Sequence, residues 1–169
     1  MLAAADLADL KREDFMEGFG AVAEGSPWVA EEVWRLAPFA GLSDLSAAFE
    51  RVIRGCSADQ QVKLVRAHPD LVGRAALAGT LSPDSTREQA SAGLDALSTQ
   101  DIAAFQRLNA AYQARFGFPF VICVRENRKQ AILEGLSSRL LSSPDREIET
   151  AVGEICKIVQ LRLADRVQA

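Results

Sequence analysis

The chain contains a single histidine, His68, which lies in the run His68-Pro69-Asp70-Leu71. Imidazole is the side chain whose ordinary pKa lies closest to neutral pH, so His68 is the first candidate for proton-transfer chemistry. Pro69 disfavours helical backbone at the residue before it, which predicts that a helix ends near His68 and that the imidazole can face a cleft. A buried structural histidine bonded to a backbone carbonyl explains the same residue, and both interpretations stay open here.

A second candidate is the group Ser85, Glu88 and Gln89. Ser85-x-x-Glu88 is the pattern of a capping box, in which the two side chains bond N–H groups at the start of a helix. This predicts a short helix that ends at Gly93, and a capping glutamate needs no catalytic role. A helix start also attracts anions through its N–H groups, so the same residues suit a polar ligand.

A third candidate is Arg162, which follows Ile155, Ile158 and Val159 at helical spacing. This spacing places the guanidinium on an apolar helix face, where a charge is costly unless it is paired. A ligand carboxylate would match its planar fork of donors. An internal salt bridge, or a side chain that extends to solvent, explains the position equally well.

Helical patterns extend along almost the entire chain and must position these candidates. Ser26-Pro27 and Ser143-Pro144 are each typical of an N-cap followed by proline at the first helical position. Ser43 is expected to open a further helix with Gly55 just beyond its end, and Ser57 and Gln60 form a capping-box pattern. The predicted helices begin with one from residue 9 or 10 to 19 and continue over residues 27–37, 43–54, 58–66, 86–93, 98–116, 128–141 and 144–167, with a short segment over 70–78.

The run Phe118-Pro119-Phe120-Val121-Ile122-Cys123-Val124 is the exception, because aromatic and β-branched residues favour extended backbone. No second run of similar quality could pair with it as a strand. We therefore expect a buried connector near 118–124 whose N–H and C=O groups have partners outside any sheet, or offer themselves to a heterocycle. The predicted fold is an all-α, single-domain helical bundle over residues 1–169.

The composition argues against several classes of function. A net charge of −4 disfavours nucleic-acid binding, which needs a dense basic patch. The longest uncharged apolar run, Phe116 to Val124, is too short to cross a bilayer, so no membrane partner is expected. One histidine and three cysteines without a CxxC pattern do not make a zinc site, so no metal is expected. Charged residues near the N-terminus disfavour a signal peptide, and reduced thiols suit a cytoplasmic protein.

Several motifs stand in order along the chain. They are Phe15 to Phe19, Ser26-Pro27-Trp28-Val29-Ala30, His68-Pro69-Asp70-Leu71, Ser85-x-x-Glu88-Gln89, Phe116-Gly117-Phe118-Pro119-Phe120 and Glu154-Ile155-x-Lys157-Ile158-x-x-Leu161-Arg162-Leu163. Together they resemble the OHCU decarboxylase family, over nearly the entire chain. OHCU is 2-oxo-4-hydroxy-4-carboxy-5-ureidoimidazoline, the last intermediate between urate and allantoin.

The resemblance implies an all-α enzyme without a cofactor, usually a homodimer, that acts on this small ureidoimidazoline. It implies His68 as the catalytic residue with Glu88 beside it. The substrate contacts that it implies come from Pro69, Ser85, Gln89, Arg162 and the backbone of Phe120, Val121, Ile122, Cys123 and Val124. The end Val167-Gln168-Ala169 is not a peroxisomal signal of the Ser-Lys-Leu type, which agrees with a cytoplasmic enzyme.

Other functions remain as alternatives. A non-catalytic helical module for ligand binding or dimerisation would keep the same helices and leave His68 structural. An amidohydrolase of the same pathway is disfavoured, because most such enzymes bind metals through several histidines. A cysteine hydrolase that pairs a thiol with His68 lacks any supporting local motif.

Overall fold

The computed structural model describes residues 2–168, and of Ala75 only the backbone. In chain order the helices are α1 (Arg12–Phe19), α2 (Pro27–Trp34), α3 (Leu42–Gly55), α4 (Ala58–Arg66), α5 (Arg74–Leu77), α6 (Pro83–Ser91), α7 (Thr99–Phe116), α8 (Lys129–Arg139) and α9 (Pro144–Ala164). Short 3₁₀ helices cover Ala4–Asp9 and Val124–Glu126. Within residues 2–168 the strands are two residues long each, β1 (Leu2–Ala3) and β2 (Val167–Gln168), so the all-α prediction is confirmed.

The described residues form two compact units. The terminal unit consists of residues 2–67 and 155–168, and the inserted unit consists of residues 68–154. Helix α9 contributes residues 144–154 to the inserted unit and residues 155–164 to the terminal unit. A single domain over residues 1–169 stays a prediction.

The terminal unit has an aromatic core around Phe15. Its ring centroid lies 5.0 Å from that of Phe19, 5.2 Å from that of Trp34 and 5.8 Å from that of Phe39. The paired chain ends belong to the same unit, with β1 and β2 parallel and Leu2 in register with Val167. The predicted last helix is therefore too long, because it ends at Ala164 and Val167 belongs to a strand.

The spacing of Leu45, Ala48, Phe49, Val52 and Ile53 predicts an apolar stripe on α3, which is confirmed except at the half-buried Val52, whereas the predicted ends of the helix are wrong. Its buried residues are Leu45, Ala48, Phe49 and Ile53. The helix begins at Leu42, before Ser43, with Gly41 at the N-cap. The side-chain bond at this end comes from Asp44, whose carboxylate accepts from the N–H of Ala40 at 3.1 Å. Gly55 is the last helical residue and not the one beyond it.

The inserted unit is built on α7, which buries one face. Phe105, Asn109 and Tyr112 are all buried on this helix. The helix begins with a capping box between Ser98 and Asp101. It ends at Phe116, and Gly117 follows with a φ of +74°, the left-handed conformation that glycine adopts without strain.

Aromatic rings pack Tyr112 against the segment that follows α7. Its ring centroid lies 4.7 Å from that of Phe116, 6.0 Å from that of Phe118 and 5.4 Å from that of Phe120. Among residues 2–168, no helix has both the length and the apolar character that a membrane crossing needs.

Candidate active site

The predicted break around His68 is present in the structure. Helix α4 ends at Arg66, and its N-terminal capping box between Ser57 and Gln60 confirms the predicted start. His68 follows without helical backbone, as its position before Pro69 requires. Its side chain is only 7% exposed, so the imidazole lies inside the protein and not on a solvated surface.

The loop that follows His68-Pro69 is held by three side-chain amides from α6 and α7. Gln113 donates to both carboxylate oxygens of Asp70 at 3.0 and 2.8 Å, Asn109 donates to the carbonyl of Leu71 at 2.8 Å, and Gln89 accepts from the N–H of Val72 at 3.3 Å. Two of these amides, Asn109 and Gln89, are buried. The loop is therefore fixed by specific bonds, which a site that must position a proton-transfer group requires.

Val72 in this loop has unusual backbone geometry. Its φ is +53°, a conformation that a β-branched residue rarely adopts, and its side chain is buried. Gly73 follows, where an added Cβ would lie 2.6 Å from the Cβ of Asp70. Strain of this kind persists only where surrounding bonds enforce it, and it is concentrated at functional sites.

The predicted capping box between Ser85 and Glu88 is wrong. Helix α6 begins at Pro83, and its N-cap is Ser82, whose hydroxyl accepts from the N–H of Ser85 at 3.2 Å. Proline is favoured at the first helical position because its missing N–H needs no partner there, so Ser82-Pro83 sets the start three residues earlier. The helix ends at Ser91, and Gly93 follows with a φ of +73°.

This correction changes the interpretation of the second candidate group. Ser85 and Gln89 are one turn apart inside α6, and both side chains are buried, while Glu88 is partly exposed. Because Ser82 performs the capping, capping no longer explains why Ser85 and Glu88 are present. The bond between Gln89 and Val72 brings this helix to the loop that follows His68.

The extended connector is present, and as predicted the partners of its backbone groups lie outside any sheet. Arg139 donates to the carbonyl of Val121 at 2.8 Å. The N–H of Cys123 donates to the Glu154 carboxylate at 2.8 Å, and Asn127 donates to the Cys123 carbonyl at 2.9 Å. Val124 then opens the 3₁₀ turn of Val124–Glu126.

A buried ionic group that the sequence interpretation missed lies behind the connector. Arg139 donates from Nε to a carboxylate oxygen of Glu147 at 2.6 Å, and the hydroxyl of Tyr112 donates to the same oxygen. Burial, with the bond to Glu147 second, raises the pKa of Tyr112 well above its usual value, so this hydroxyl stays protonated. Arg139 follows Ile132 and Leu136 at helical spacing, the same signal that singled out Arg162.

Arg162 forms a buried ion pair with Glu24 inside the terminal unit. Its side chain is 2% exposed, and Nη1 donates to a carboxylate oxygen of Glu24 at 2.8 Å and to the carbonyl of Val22 at 3.2 Å. The predicted position on a buried face is confirmed, and of the alternatives to a ligand contact the internal salt bridge is the one that the structure contains. A substrate contact from Arg162 stays a prediction.

A family model described as OHCU decarboxylase matches residues 8–164. The chain belongs to the OHCU decarboxylase family. It is 46% identical over 159 residues to the 2-oxo-4-hydroxy-4-carboxy-5-ureidoimidazoline decarboxylase of Amia calva, a match that covers 94% of this chain and 91% of that protein. The mouse protein of the same name is 42% identical over 156 residues, covering 92% of this chain and 88% of the relative.

The fold of this OHCU decarboxylase family member also resembles a solved structure. The crystal structure of an (S)-allantoin synthase superimposes with a TM-score of 0.78 at 27% sequence identity. The match covers 98% of this chain and 54% of that chain, so the present chain spans about half the length of the synthase.

The family match contains all the predicted site residues, from His68 to Arg162. His68, Pro69, Ser85, Glu88, Gln89 and residues 120–124 lie in the inserted unit, and Arg162 lies in the terminal unit. Within the inserted unit, a hydrogen bond joins Gln89 to the loop after His68.

The thiols disfavour the cysteine-hydrolase alternative to the family assignment. Burial raises the pKa of Cys123 and that of Cys156 to about 11, so both are protonated at neutral pH and are poor nucleophiles. The three cysteines, Cys56 included, form no disulfide with one another. Among residues 2–168 no group of three or more His, Cys, Asp or Glu side chains could hold a metal ion.

Proposed function

We propose that the protein decarboxylates 2-oxo-4-hydroxy-4-carboxy-5-ureidoimidazoline to (S)-allantoin in urate degradation, as a carboxy-lyase without a cofactor. The observation that carries this proposal is the 46% identity to the Amia calva decarboxylase over 94% of the chain. The buried His68, followed by a strained and tightly bonded loop, supports it from the geometry.

The proposed reaction uses the substrate as its own electron sink. The carbon that loses CO2 carries a hydroxyl and a carboxylate and lies next to a ring C=N bond. When the C–C bond to the carboxylate breaks, its electron pair forms a C=C bond and the C=N pair moves to nitrogen, which takes up a proton. The neighbouring carbon then gains a proton and the hydroxyl loses one, giving the carbonyl of allantoin. Pyridoxal phosphate and thiamine are therefore not required.

The protein supplies proton transfer and orientation in this proposal. His68 bonds the substrate hydroxyl and accepts its proton as a general base, a contribution of roughly 10²- to 10⁴-fold in rate. Glu88 orients the imidazole or shares the contact with the hydroxyl. Because a fixed group protonates the carbon from one face, a single enantiomer forms, whereas the spontaneous reaction gives both.

The remaining predicted residues bind the substrate. Pro69, Ser85 and Gln89 contact it from the inserted unit, together with the backbone of residues 120–124. Arg162 grips the ureido or ring carbonyl side. A strong clamp on the departing carboxylate would stabilise the ground state and raise the barrier, so that role is disfavoured.

We further propose that the enzyme is a cytoplasmic homodimer. The family resemblance supports the dimer, and the three cysteines without a disulfide between them suit a reducing compartment. Light scattering during size-exclusion chromatography measures the mass directly. A monomer at micromolar concentration would contradict the dimer.

The test of the reaction follows allantoin by circular dichroism. Urate oxidase and hydroxyisourate hydrolase generate the substrate in the cuvette, with wild-type protein, with His68→Asn or without addition. We expect fast growth of a one-handed allantoin signal that the variant loses. A wild-type trace no faster than the spontaneous one would contradict the decarboxylase activity. The family assignment would stand, and a non-catalytic binding module would become the better explanation.

A further inference from the structure

One edge of the connector is occupied by protein. The carbonyl of Val121 is bonded by Arg139, and the N–H and carbonyl of Cys123 are bonded by Glu154 and Asn127. In extended backbone, the peptide groups of successive residues point to opposite edges. By this alternation, we expect the N–H and carbonyl groups of Phe120 and Ile122 on the other edge.

Arg139 is the side chain that contacts two adjacent connector residues. Its Nη1 lies 2.8 Å from the carbonyl oxygen of Val121, and its guanidinium carbon lies 4.4 Å from the centre of the Phe120 ring. The ring of Phe120 is buried, and 14% of the Arg139 side chain is exposed. One planar group thus fixes both the rotation of a peptide and the position of the preceding side chain.

The orientation of Arg139 is itself fixed from behind. Its Nε donates to Glu147 at 2.6 Å, and the Tyr112 hydroxyl donates to the same carboxylate oxygen. Glu147 is 1% exposed and Tyr112 is fully buried, so water does not compete for these bonds. Tyr112 also packs edge-on against Phe120, with the ring centroids 5.4 Å apart, so Tyr112 contacts both Glu147 and the connector.

We propose that Arg139, held by Glu147 and Tyr112, is a positioning residue for substrate binding. It contacts no reacting atom. It holds one edge of the connector so that the opposite edge, at Phe120 and Ile122, presents its N–H and carbonyl groups to the polar ring of the substrate. This inference rests on the proposed function, because the proposed function supplies the substrate.

The test compares Arg139→Lys with a matched arginine elsewhere in the inserted unit. Lysine keeps the charge for Glu147, but a single ammonium cannot reproduce the fork that also reaches Val121 and covers Phe120. The control is Arg115→Lys. Arg115 likewise donates to a backbone carbonyl, that of Ser142 at 3.0 Å, and lies 5.3 Å from the centre of a phenylalanine ring, that of Phe116.

Steady-state kinetics on substrate generated in situ separates KM from kcat, and thermal melting monitors the fold. Since the connector binds the substrate before and during reaction, its displacement removes binding common to both states. We expect Arg139→Lys to raise KM about tenfold with kcat within about twofold, and Arg115→Lys to leave both unchanged. Tyr112→Phe, which keeps the ring, should raise KM by a smaller factor of about three.

The outcomes separate this inference from the proposed function. A wild-type protein that does not accelerate allantoin formation overturns the proposed function and this inference with it. An active wild type whose folded Arg139→Lys variant keeps the wild-type KM, or loses kcat alone, overturns only the positioning role. An increase in KM for Arg115→Lys that equals the increase for Arg139→Lys also overturns the positioning role. If Arg139→Lys does not fold, the KM of Tyr112→Phe is the test: the expected rise supports the positioning role, and a wild-type KM overturns it.

Discussion

The side-chain oxygen of Gln89 accepts a hydrogen bond from the backbone N–H of Val72, at 3.3 Å. This bond fixes which way the amide points, because the oxygen is committed to Val72 and the NH₂ group faces away from it. Gln89 therefore connects the strained loop after His68 to helix α6, and the NH₂ group that faces away from Val72 is the part of the side chain that the proposed substrate contact would use.

Gln89→Glu tests the role of that NH₂ group. Glutamate keeps an acceptor for Val72 but removes the two donors and adds a negative charge that opposes an anionic substrate. We expect KM to rise about tenfold or more, and the melting temperature to fall, because the new carboxylate lies at a buried position. Gln106→Glu, at an exposed position of α7, adds the same charge and should leave KM unchanged. Similar KM values in the two variants would contradict a substrate contact at Gln89.

His68→Asn tests the proposed general base. Asparagine keeps a polar side chain of smaller size but cannot take up a proton near neutral pH. We expect kcat to fall by about 10²- to 10⁴-fold, with far-ultraviolet circular dichroism and melting temperature close to wild type. A folded variant with nearly normal turnover would exclude His68 as the catalytic residue.

Asn109→Ala tests how strongly the loop is held. The variant leaves the buried Leu71 carbonyl without the donor at 2.8 Å, so we expect a loss of about 1–3 kcal/mol in the free energy of unfolding. Gln113 bonds Asp70 at an exposed position, and Gln113→Ala should cost no more than about 0.5 kcal/mol. Urea unfolding measures both, and equal losses would show that burial of the bond does not decide its contribution.

Arg162→Ala should destabilise the protein and raise KM. Removing the guanidinium breaks its ion pair with Glu24 at 2.8 Å, in a site where the Glu24 side chain is only 11% exposed, and breaking a buried pair typically costs about 3–5 kcal/mol. The double variant Arg162→Met with Glu24→Gln should recover much of this loss. If the double variant binds substrate with the wild-type KM, or if only kcat falls, Arg162 is structural and not a substrate contact.

The lowered pKa of Asp101 should make the stability of the fold depend on pH. The hydrogen bond from Lys129, with that from Ser98 second, lowers the pKa of Asp101 below its ordinary value of 3.8. The ionised carboxylate therefore stabilises the fold above that value, and the contribution is lost as the pH falls through the lower pKa of the folded state. Wild type should exceed Asp101→Asn in stability at pH 7, and the difference should shrink toward pH 3. A difference that is constant from pH 7 to pH 3 would contradict this.

Local signals predicted local structure well. The capping box at Ser57, the helix start at Ser98 and the apolar stripe of α3 each depend on residues within one or two turns, and each is confirmed. The failure at Ser85 has a local cause as well. Ser82-Pro83 carries the same signal that predicted the starts at Ser26-Pro27 and Ser143-Pro144, and it competes with the Ser85 pattern three residues later.

The partners of the buried charges could not be predicted from spacing. Helical spacing placed Arg162 on an apolar face, but its partner Glu24 lies 138 positions away in the chain. Arg139 has the same spacing after Leu136, and its bonds to Glu147 and Val121 depend on how separate helices pack. Such pairs are set by tertiary structure, which no local pattern encodes.

The division of the chain has a consequence for its synthesis. Residues 68–154 are continuous in sequence, so all of the segment that contains His68 and Gln89 has left the ribosome before the last turns of α9. The terminal unit is discontinuous, and Leu2 must wait for Val167, near the opposite end of the chain, before β1 has a partner. Because closing so long a loop is slow, the strand pair is expected to form last during folding on the ribosome, after the helices of the inserted unit.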